Sequence, residues 1–207
     1  TTLLMWMGEL ITKRGIGNGE VTVRVAVCAQ RGEAAYKTIT NTIAVMRGTA
    51  SPDRWVIAGG HRDAWGPGAA DNVSGVSTIL EAGRAIGDAA AAGFRPRRSI
   101  VLATWDGEEW GLVGSMEYVE QMADTLQERA VAYLNLDVSA NGRYFHAAGT
   151  ASLWAFIRDL AASARQPGDS VSVYEAWRRT SRSPDSVSVP IGDLGGGSDF
   201  AGFYHVL

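Results

Sequence analysis

Residues 95–115 read RPRRSIVLATWDGEEWGLVGS, and they indicate the class of fold. Its segment from Ile100 to Thr104 is short and continuously apolar, which is typical of a strand buried on both faces. Trp55 to Ala58 and Val131 to Leu136 have the same character, so we expect three central strands. Acidic residues or a histidine follow each of them. The stretch therefore predicts a sheet with polar side chains gathered at one edge.

Helical patterns separate these strands. The first helix is expected to begin at Asp71 or Asn72, either of which can cap it, and to end before Gly93. Apolar residues at helical spacing predict two more helices, at about 112–129 and 152–164. Alternating strands and helices predict a three-layer α/β/α sandwich with a mixed, mostly parallel central sheet. In such sheets ligands bind beyond the carboxyl ends of the strands.

The segments outside these strands and helices have different residue patterns. Residues 21–28 alternate apolar and polar side chains, which predicts a half-buried strand, and 39–46 predicts another. Residues 166–197 are rich in serine, proline, glycine and arginine, so we expect a surface loop, with the alternative that the glycine run at 195–197 lines a cleft. The 207 residues are enough for one substantial core and short for two full domains.

Composition excludes several classes of function. A net charge of −3 gives no basic surface for a nucleic acid backbone. Cys28 is the single cysteine, so an intrachain disulfide framework and a thiolate zinc cluster are both excluded. No apolar run approaches the roughly 20 residues of a membrane-spanning helix, so we expect no membrane segment in this chain.

One histidine and several acidic residues stand where apolar runs meet turns. Taken singly, each aspartate is more readily explained as a helix cap or turn former than as a metal ligand. Together, an imidazole and carboxylates form the ligand set that suits one or two zinc ions, with a spare glutamate as a base. The set is His61, Asp63, Asp71, Glu108, Glu109 and Asp137. It predicts a metallohydrolase.

Four segments carry a resemblance to a known superfamily. They are PDRWVIAGGHRDAW at 52–65, the stretch 95–115, LQERAVAYLNLD at 126–137 and LGGGSDF at 194–200. They resemble the co-catalytic dizinc aminopeptidases and carboxypeptidases, and most of all the glutamate carboxypeptidase II and transferrin receptor branch. The resemblance implies a zinc peptidase core over residues 38–207 that is truncated at its C-terminus. It also implies that the strand region at 1–37 is the end of an inserted apical domain.

The resemblance implies a set of zinc ligands. Asp71 would bridge two zinc ions, His61 and Asp137 would complete one site, and Glu109 would bind the other ion. A further histidine ligand is expected downstream of Leu207. We therefore expect two zinc ions in the full-length protein and one or none in this chain.

Four other positions acquire roles from the same resemblance. Glu108 would be the general base acting on a water that bridges the two zinc ions. Asp63 would accept a hydrogen bond from the imidazole of His61 and fix its tautomer. Gly197 and Ser198 would contact the substrate.

The expected activity is that of a zinc exopeptidase, of the glutamate carboxypeptidase kind, acting on a peptide with an acidic terminal residue. By resemblance alone we expect a homodimeric parent protein and an extracellular or periplasmic location. An aminopeptidase of the same superfamily is the first alternative. A single-zinc glutaminyl cyclase is disfavoured by the retained His61, and a metal-free, receptor-like homologue is disfavoured by the complete ligand set.

Overall fold

A computed structural model describes residues 38–181 and 188–207, and one mixed sheet forms the centre of this part of the chain. Its strands are β1 (Thr42–Met46), β2 (Ser51–His61), β3 (Arg98–Trp105) and β4 (Ala130–Asn135). They lie in the order β1-β3-β2-β4. β2 is parallel to both β3 and β4, whereas β1 is antiparallel to β3. The mixed, mostly parallel sheet is confirmed.

Helices cover both faces of the sheet. They are α1 (Ser74–Ala91), α2 (Val113–Gln121), α3 (Ala123–Arg129), α4 (Trp154–Ser163), α5 (Val173–Thr180) and α6 (Phe200–His205). On one face, Val101 of β3 packs with Val119 of α2 and Leu126 of α3. On the other, the neighbouring Leu102 points toward α1, where a Cβ added to Gly83 would lie 3.1 Å from its Cδ1 atom. The expected three-layer sandwich is confirmed.

The two faces of the sheet are buried to different extents. Along β3, alternate residues from Ser99 to Trp105 are buried on the α2 and α3 side, and those between them are half-buried. β4 lies at an edge of the described sheet, and its Val131 is 42% exposed. The expectation that all three apolar strands are central and buried on both faces is therefore wrong for β4.

β2 continues beyond the end that the sequence predicts. Gly59 and Gly60 are part of the strand, and their lack of a side chain admits close neighbours. A Cβ on Gly59 would lie 2.7 Å from the indole nitrogen of Trp105, and one on Gly60 would lie 2.2 Å from the carbonyl oxygen of Leu136. The two glycines let β2 carry His61 to the carboxyl edge of the sheet.

Two expectations about secondary structure need correction. The helix predicted over 112–129 is two helices, α2 and α3, with a break at Met122. The predicted surface loop at 166–197 contains α5, whose Trp177 packs with Ala161 and Val189 in a second apolar cluster. The missed signal is the N-cap serine of α5, since the Ser172 hydroxyl accepts a hydrogen bond from the amide of Glu175 at 3.2 Å. The helix predicted at 152–164 is confirmed as a short 3₁₀ turn followed by α4.

Some predictions fall outside the described residues. These are the strand at 21–28, Cys28, the assignment of 1–37 to an apical domain, and the serine-rich stretch at 182–187. Within 38–181 and 188–207, no helix is both long and apolar enough to cross a membrane.

Candidate metal centre

The carboxyl ends of three parallel strands bring the candidate ligands together. His61 is the last residue of β2, Glu108 and Glu109 lie in the turn after β3, and Asp137 follows β4. Asp71 reaches the same place from an irregular turn just before α1, where its peptide bond to the next residue is cis. All five side chains expected to act on or beside a metal therefore meet at one edge of the sheet.

One nitrogen of His61 faces the carboxylates. Its Nε2 atom lies 3.0 Å from Asp71 Oδ1, 3.2 Å from Asp137 Oδ1 and 3.8 Å from Glu108 Oε2. Two overlapping groups could each hold an ion, since their ligand atoms lie within 4.8 Å of one another. One group is His61, Glu108 and Asp137, and the other is His61, Asp71 and Glu109.

Asp63 contacts the site through two different groups. Its backbone oxygen lies 2.9 Å from His61 Nδ1, and its carboxylate lies 3.5 Å from the same nitrogen. When Nδ1 donates its proton to this carbonyl, Nε2 keeps a lone pair for a metal. The carboxylate accepts the backbone amides of Glu108 and Glu109, at 3.1 and 3.2 Å. The group of Asp63 nearest to the imidazole is thus its backbone carbonyl rather than its carboxylate.

The turn after β3 separates two adjacent glutamates. Gly107, Gly111 and Leu112 all have positive φ, at 71°, 112° and 61°. The amides of Gly111 and Leu112 both donate to the carbonyl of Glu108, at 2.9 and 2.8 Å. This tight turn places Glu108 in one ligand group and Glu109 in the other.

A chain of hydrogen bonds supports Asp137 from the core. The Ser198 hydroxyl donates to Asp137 Oδ2 at 2.6 Å and accepts from Asn135 Nδ2 at 2.8 Å. The Tyr133 hydroxyl donates to Asn135 Oδ1 at 3.0 Å and accepts from the Trp105 indole at 2.9 Å. The orientation of Asp137 is therefore fixed by side chains that belong to β3, β4 and the segment before α6.

The two positions expected to contact substrate differ in accessibility. Ser198 is 6% exposed and lies behind Asp137, so its hydroxyl is engaged by protein groups. Gly197 is exposed, and a Cβ built on it would have no atom within 4 Å. Of the two, only Gly197 borders open space.

Asn72 is a structural centre of the site that the sequence indicated only as a helix cap. Its side-chain nitrogen donates to the carbonyls of His61 and Leu136, at 3.0 and 2.8 Å. Its oxygen accepts the amides of Gly75 and Val138, each at 3.1 Å. A fully buried amide thus joins the end of β2, the loop after β4 and the start of α1.

Comparison with known proteins agrees with this geometry. Residues 41–172 match the model of peptidase family M28. The chain belongs to this family. It is 43% identical over 174 residues to a probable glutamate carboxypeptidase, LAMP1, of Arabidopsis thaliana, covering 83% of this chain and 25% of the relative. It is also 43% identical over 177 residues to the aminopeptidase NAALADL1 of Mus musculus, covering 83% of this chain and 24% of the relative.

Among solved structures, a zinc aminopeptidase from Bacillus subtilis is 25% identical to this M28 chain, with a TM-score of 0.50. The match covers 80% of this chain and 37% of that protein. These findings confirm the family and the branch indicated by the motifs. The chain spans about a quarter of the length of the curated relatives it matches.

The electrostatics of the M28 site fit a divalent cation. Burial raises the pKa of Glu108 to about 8 and that of Asp199, a buried acid beside it, to about 6. Burial alone would lower the pKa of His61. The hydrogen bond to Asp137 and the charge of Glu108 outweigh it and raise this pKa to about 10. Burial also opposes ionisation of Asp137, yet hydrogen bonds from His61 and Ser198 lower its pKa.

A protonated imidazole thus supplies positive charge to a group of carboxylates that would otherwise repel one another. Nitrogen and carboxylate donors are also the ligands that zinc accepts. The residues present therefore fit zinc.

Proposed function

We propose that this chain carries the catalytic core of a zinc-dependent exopeptidase that hydrolyses a peptide bond near a chain terminus. The observation that carries the proposal is the meeting of one buried imidazole with four carboxylates at the carboxyl ends of three strands. Membership of a peptidase family supports the reaction class, and the names of the relatives support an exopeptidase.

The ligands divide between two ions in this proposal. Asp71 bridges both, His61 and Asp137 complete one site, and Glu109 belongs to the other. The approach of Asp71 and Asp137 to the same His61 nitrogen, at 3.0 and 3.2 Å, supports the first site. These residues alone supply three ligands to one ion and two to the other, so we expect one ion or none in this chain and two in the full-length protein. Bound zinc would polarise the scissile carbonyl and lower the pKa of the attacking water.

Glu108 is the general base in this mechanism. Its side chain is 10% exposed, and burial raises its pKa toward the neutral range in which a base works best. It takes a proton from the attacking water and delivers it to the nitrogen of the leaving amine. Asp63 positions this step, because its carboxylate holds the backbone amides of both glutamates.

Two substrate classes follow from the relatives. We favour a carboxypeptidase that removes an acidic terminal residue, with Gly197 lining the cleft, because one relative is named a glutamate carboxypeptidase. An aminopeptidase is the second candidate. The equally similar NAALADL1 supports it. Assembly of the parent protein as a homodimer remains a prediction.

Two substitutions test the roles of these residues in the zinc-loaded protein. Glu108→Gln should retain its zinc, measured by elemental analysis, and lose hydrolysis by about 10²-fold or more. Asp71→Ala should lose both zinc and hydrolysis. Glu117→Gln, on the exposed side of α2, is the matched control. Undiminished hydrolysis by Glu108→Gln would contradict the assignment of the base.

Two blocked dipeptides distinguish the substrate classes. An N-acetylated dipeptide with a C-terminal glutamate has no free amine, and a dipeptide amide has no free carboxylate. Release of glutamate from the first supports the carboxypeptidase, whereas cleavage of the second alone supports the aminopeptidase.

A further inference from the structure

Two tryptophans stand beside the metal centre. Trp65 follows Asp63 by two residues, and Trp110 follows Glu109 directly. Their ring centroids are 4.8 Å apart and their planes are inclined by 47°. The backbone amide of Trp65 lies 3.4 Å from Glu109 Oε1. The aromatic pair therefore adjoins a candidate metal ligand in sequence and in space.

The pair is open to solvent, with Trp65 37% exposed and Trp110 71% exposed. Large aromatic side chains normally lie mostly buried, and an exposed pair loses the stabilisation that burial would give it. Hydrogen bonds nevertheless restrain the segments that carry both residues. Trp110 lies in the turn closed by hydrogen bonds to the Glu108 carbonyl, and the hydrogen bond to Glu109 restrains Trp65. Exposed aromatic surface on a rigid support is typical of a recognition surface.

We propose that Trp65 and Trp110 form an aromatic wall of the substrate cleft, which selects a large apolar side chain, preferably aromatic, on the residue that supplies the scissile carbonyl. This inference rests on the proposed peptidase function. The described ligand groups offer the substrate an imidazole and carboxylates, whereas the two indoles offer apolar surface from segments that adjoin those groups. The inclined indoles present faces and edges to a third ring, an arrangement that aromatic groups favour. An acidic residue can still occupy the other side of the scissile bond.

Two amino acid hydroxamates test this selectivity by equilibrium binding. L-phenylalanine hydroxamate and L-alanine hydroxamate share the zinc-chelating group and the α-ammonium, and they differ only in the side chain. Isothermal titration calorimetry on the full-length, zinc-loaded protein gives the ratio of their dissociation constants. We expect the phenylalanine compound to bind about tenfold more tightly in the unmodified protein. That preference should fall to about twofold in Trp110→Ala and persist in Trp110→Phe.

The control is Phe94→Ala, which removes an aromatic side chain that is 48% exposed in the segment between α1 and β3. It should leave the ratio unchanged, and zinc content should be the same in every variant. An unchanged ratio in both Trp110→Ala and Trp65→Ala would overturn the aromatic wall and leave the peptidase intact. Equal weakening of both hydroxamates would also overturn it, because the pair would then contact the shared α-ammonium. Failure of the zinc-loaded protein to bind either compound would overturn the wall, whereas absence of zinc from the full-length protein would overturn the zinc peptidase itself.

Discussion

Asp63 holds three groups of the site through its backbone carbonyl and its carboxylate. Its backbone carbonyl holds one nitrogen of His61, while its carboxylate holds the amides of both glutamates. One residue therefore positions the imidazole, the proposed base and a proposed zinc ligand. The sequence identifies Asp63 as a partner of His61, but it cannot distinguish a carbonyl contact from a carboxylate contact, since both come from the same residue.

Asn72 offers a test of how much the buried polar framework contributes to stability. Asn72→Ala would leave two carbonyl oxygens and two backbone amides without their side-chain partner. Unmade hydrogen bonds of buried groups are costly, so we expect the free energy of unfolding to fall by about 3 kcal/mol. Urea denaturation would measure it, with the exposed Asn141→Ala as a control that changes stability by about 0.5 kcal/mol or less. A loss no larger than the control's would contradict the structural role.

At the scale of elements, α5 depends on its N-terminal cap. The Ser172 hydroxyl accepts the amide of Glu175, and the helix buries Trp177 against the cluster with Ala161. Removing a serine cap costs about 1 kcal/mol, so Ser172→Ala should lower the free energy of unfolding by about that amount. Chemical denaturation measures the change, and Ser170→Ala, at an exposed position just before the helix, is the matched control. Equal stabilities for the two variants would show that the cap contributes nothing.

The elements that sequence reasoning identified are those whose signals are local. The apolar run of β3 and the helical spacing of α1 depend on neighbouring residues alone, and both were predicted. The extension of β2 through Gly59 and Gly60 was missed, because these glycines accommodate Trp105 and Leu136 from distant parts of the chain. The cap of α5 was a local signal, but the surrounding polar composition concealed it.

The residues of the candidate site also fall into two groups, those that local motifs indicate and those whose role depends on packing. Ligand types at strand ends could be found from motifs, and the structure brings His61, Asp71, Glu108, Glu109 and Asp137 together. The support of Asp137 by Ser198, and of three segments by Asn72, arises only when remote parts of the chain pack against each other. Such contacts produce no pattern of residue spacing that can be recognised in a single sequence.

At the scale of the whole molecule, the metal-free site makes stability depend on pH. Folding raises the pKa of His61 from 6.5 to about 10, so its stabilising contribution is complete below pH 6.5 and is lost as the pH rises toward 10. Folding also raises the pKa of Glu108 from 4.5 to about 8, so its contribution is lost between those values. Both changes have the same sign. The metal-free protein should be less stable at pH 8 than at pH 6.

Zinc should reverse this trend, because binding requires the neutral imidazole and displaces the proton that His61 holds in the metal-free site. At a free zinc concentration of about 100 times the dissociation constant, the expected stabilisation is about 2.7 kcal/mol, which raises Tm by roughly 5–10 °C. At one fixed zinc concentration the rise in Tm should be larger at pH 8 than at pH 6. Calorimetric scans with zinc and with a chelator at both pH values measure it, with Asp71→Ala as the control that should show no rise. Equal rises at the two pH values would contradict proton displacement from His61, and a full rise in Asp71→Ala would place the zinc elsewhere.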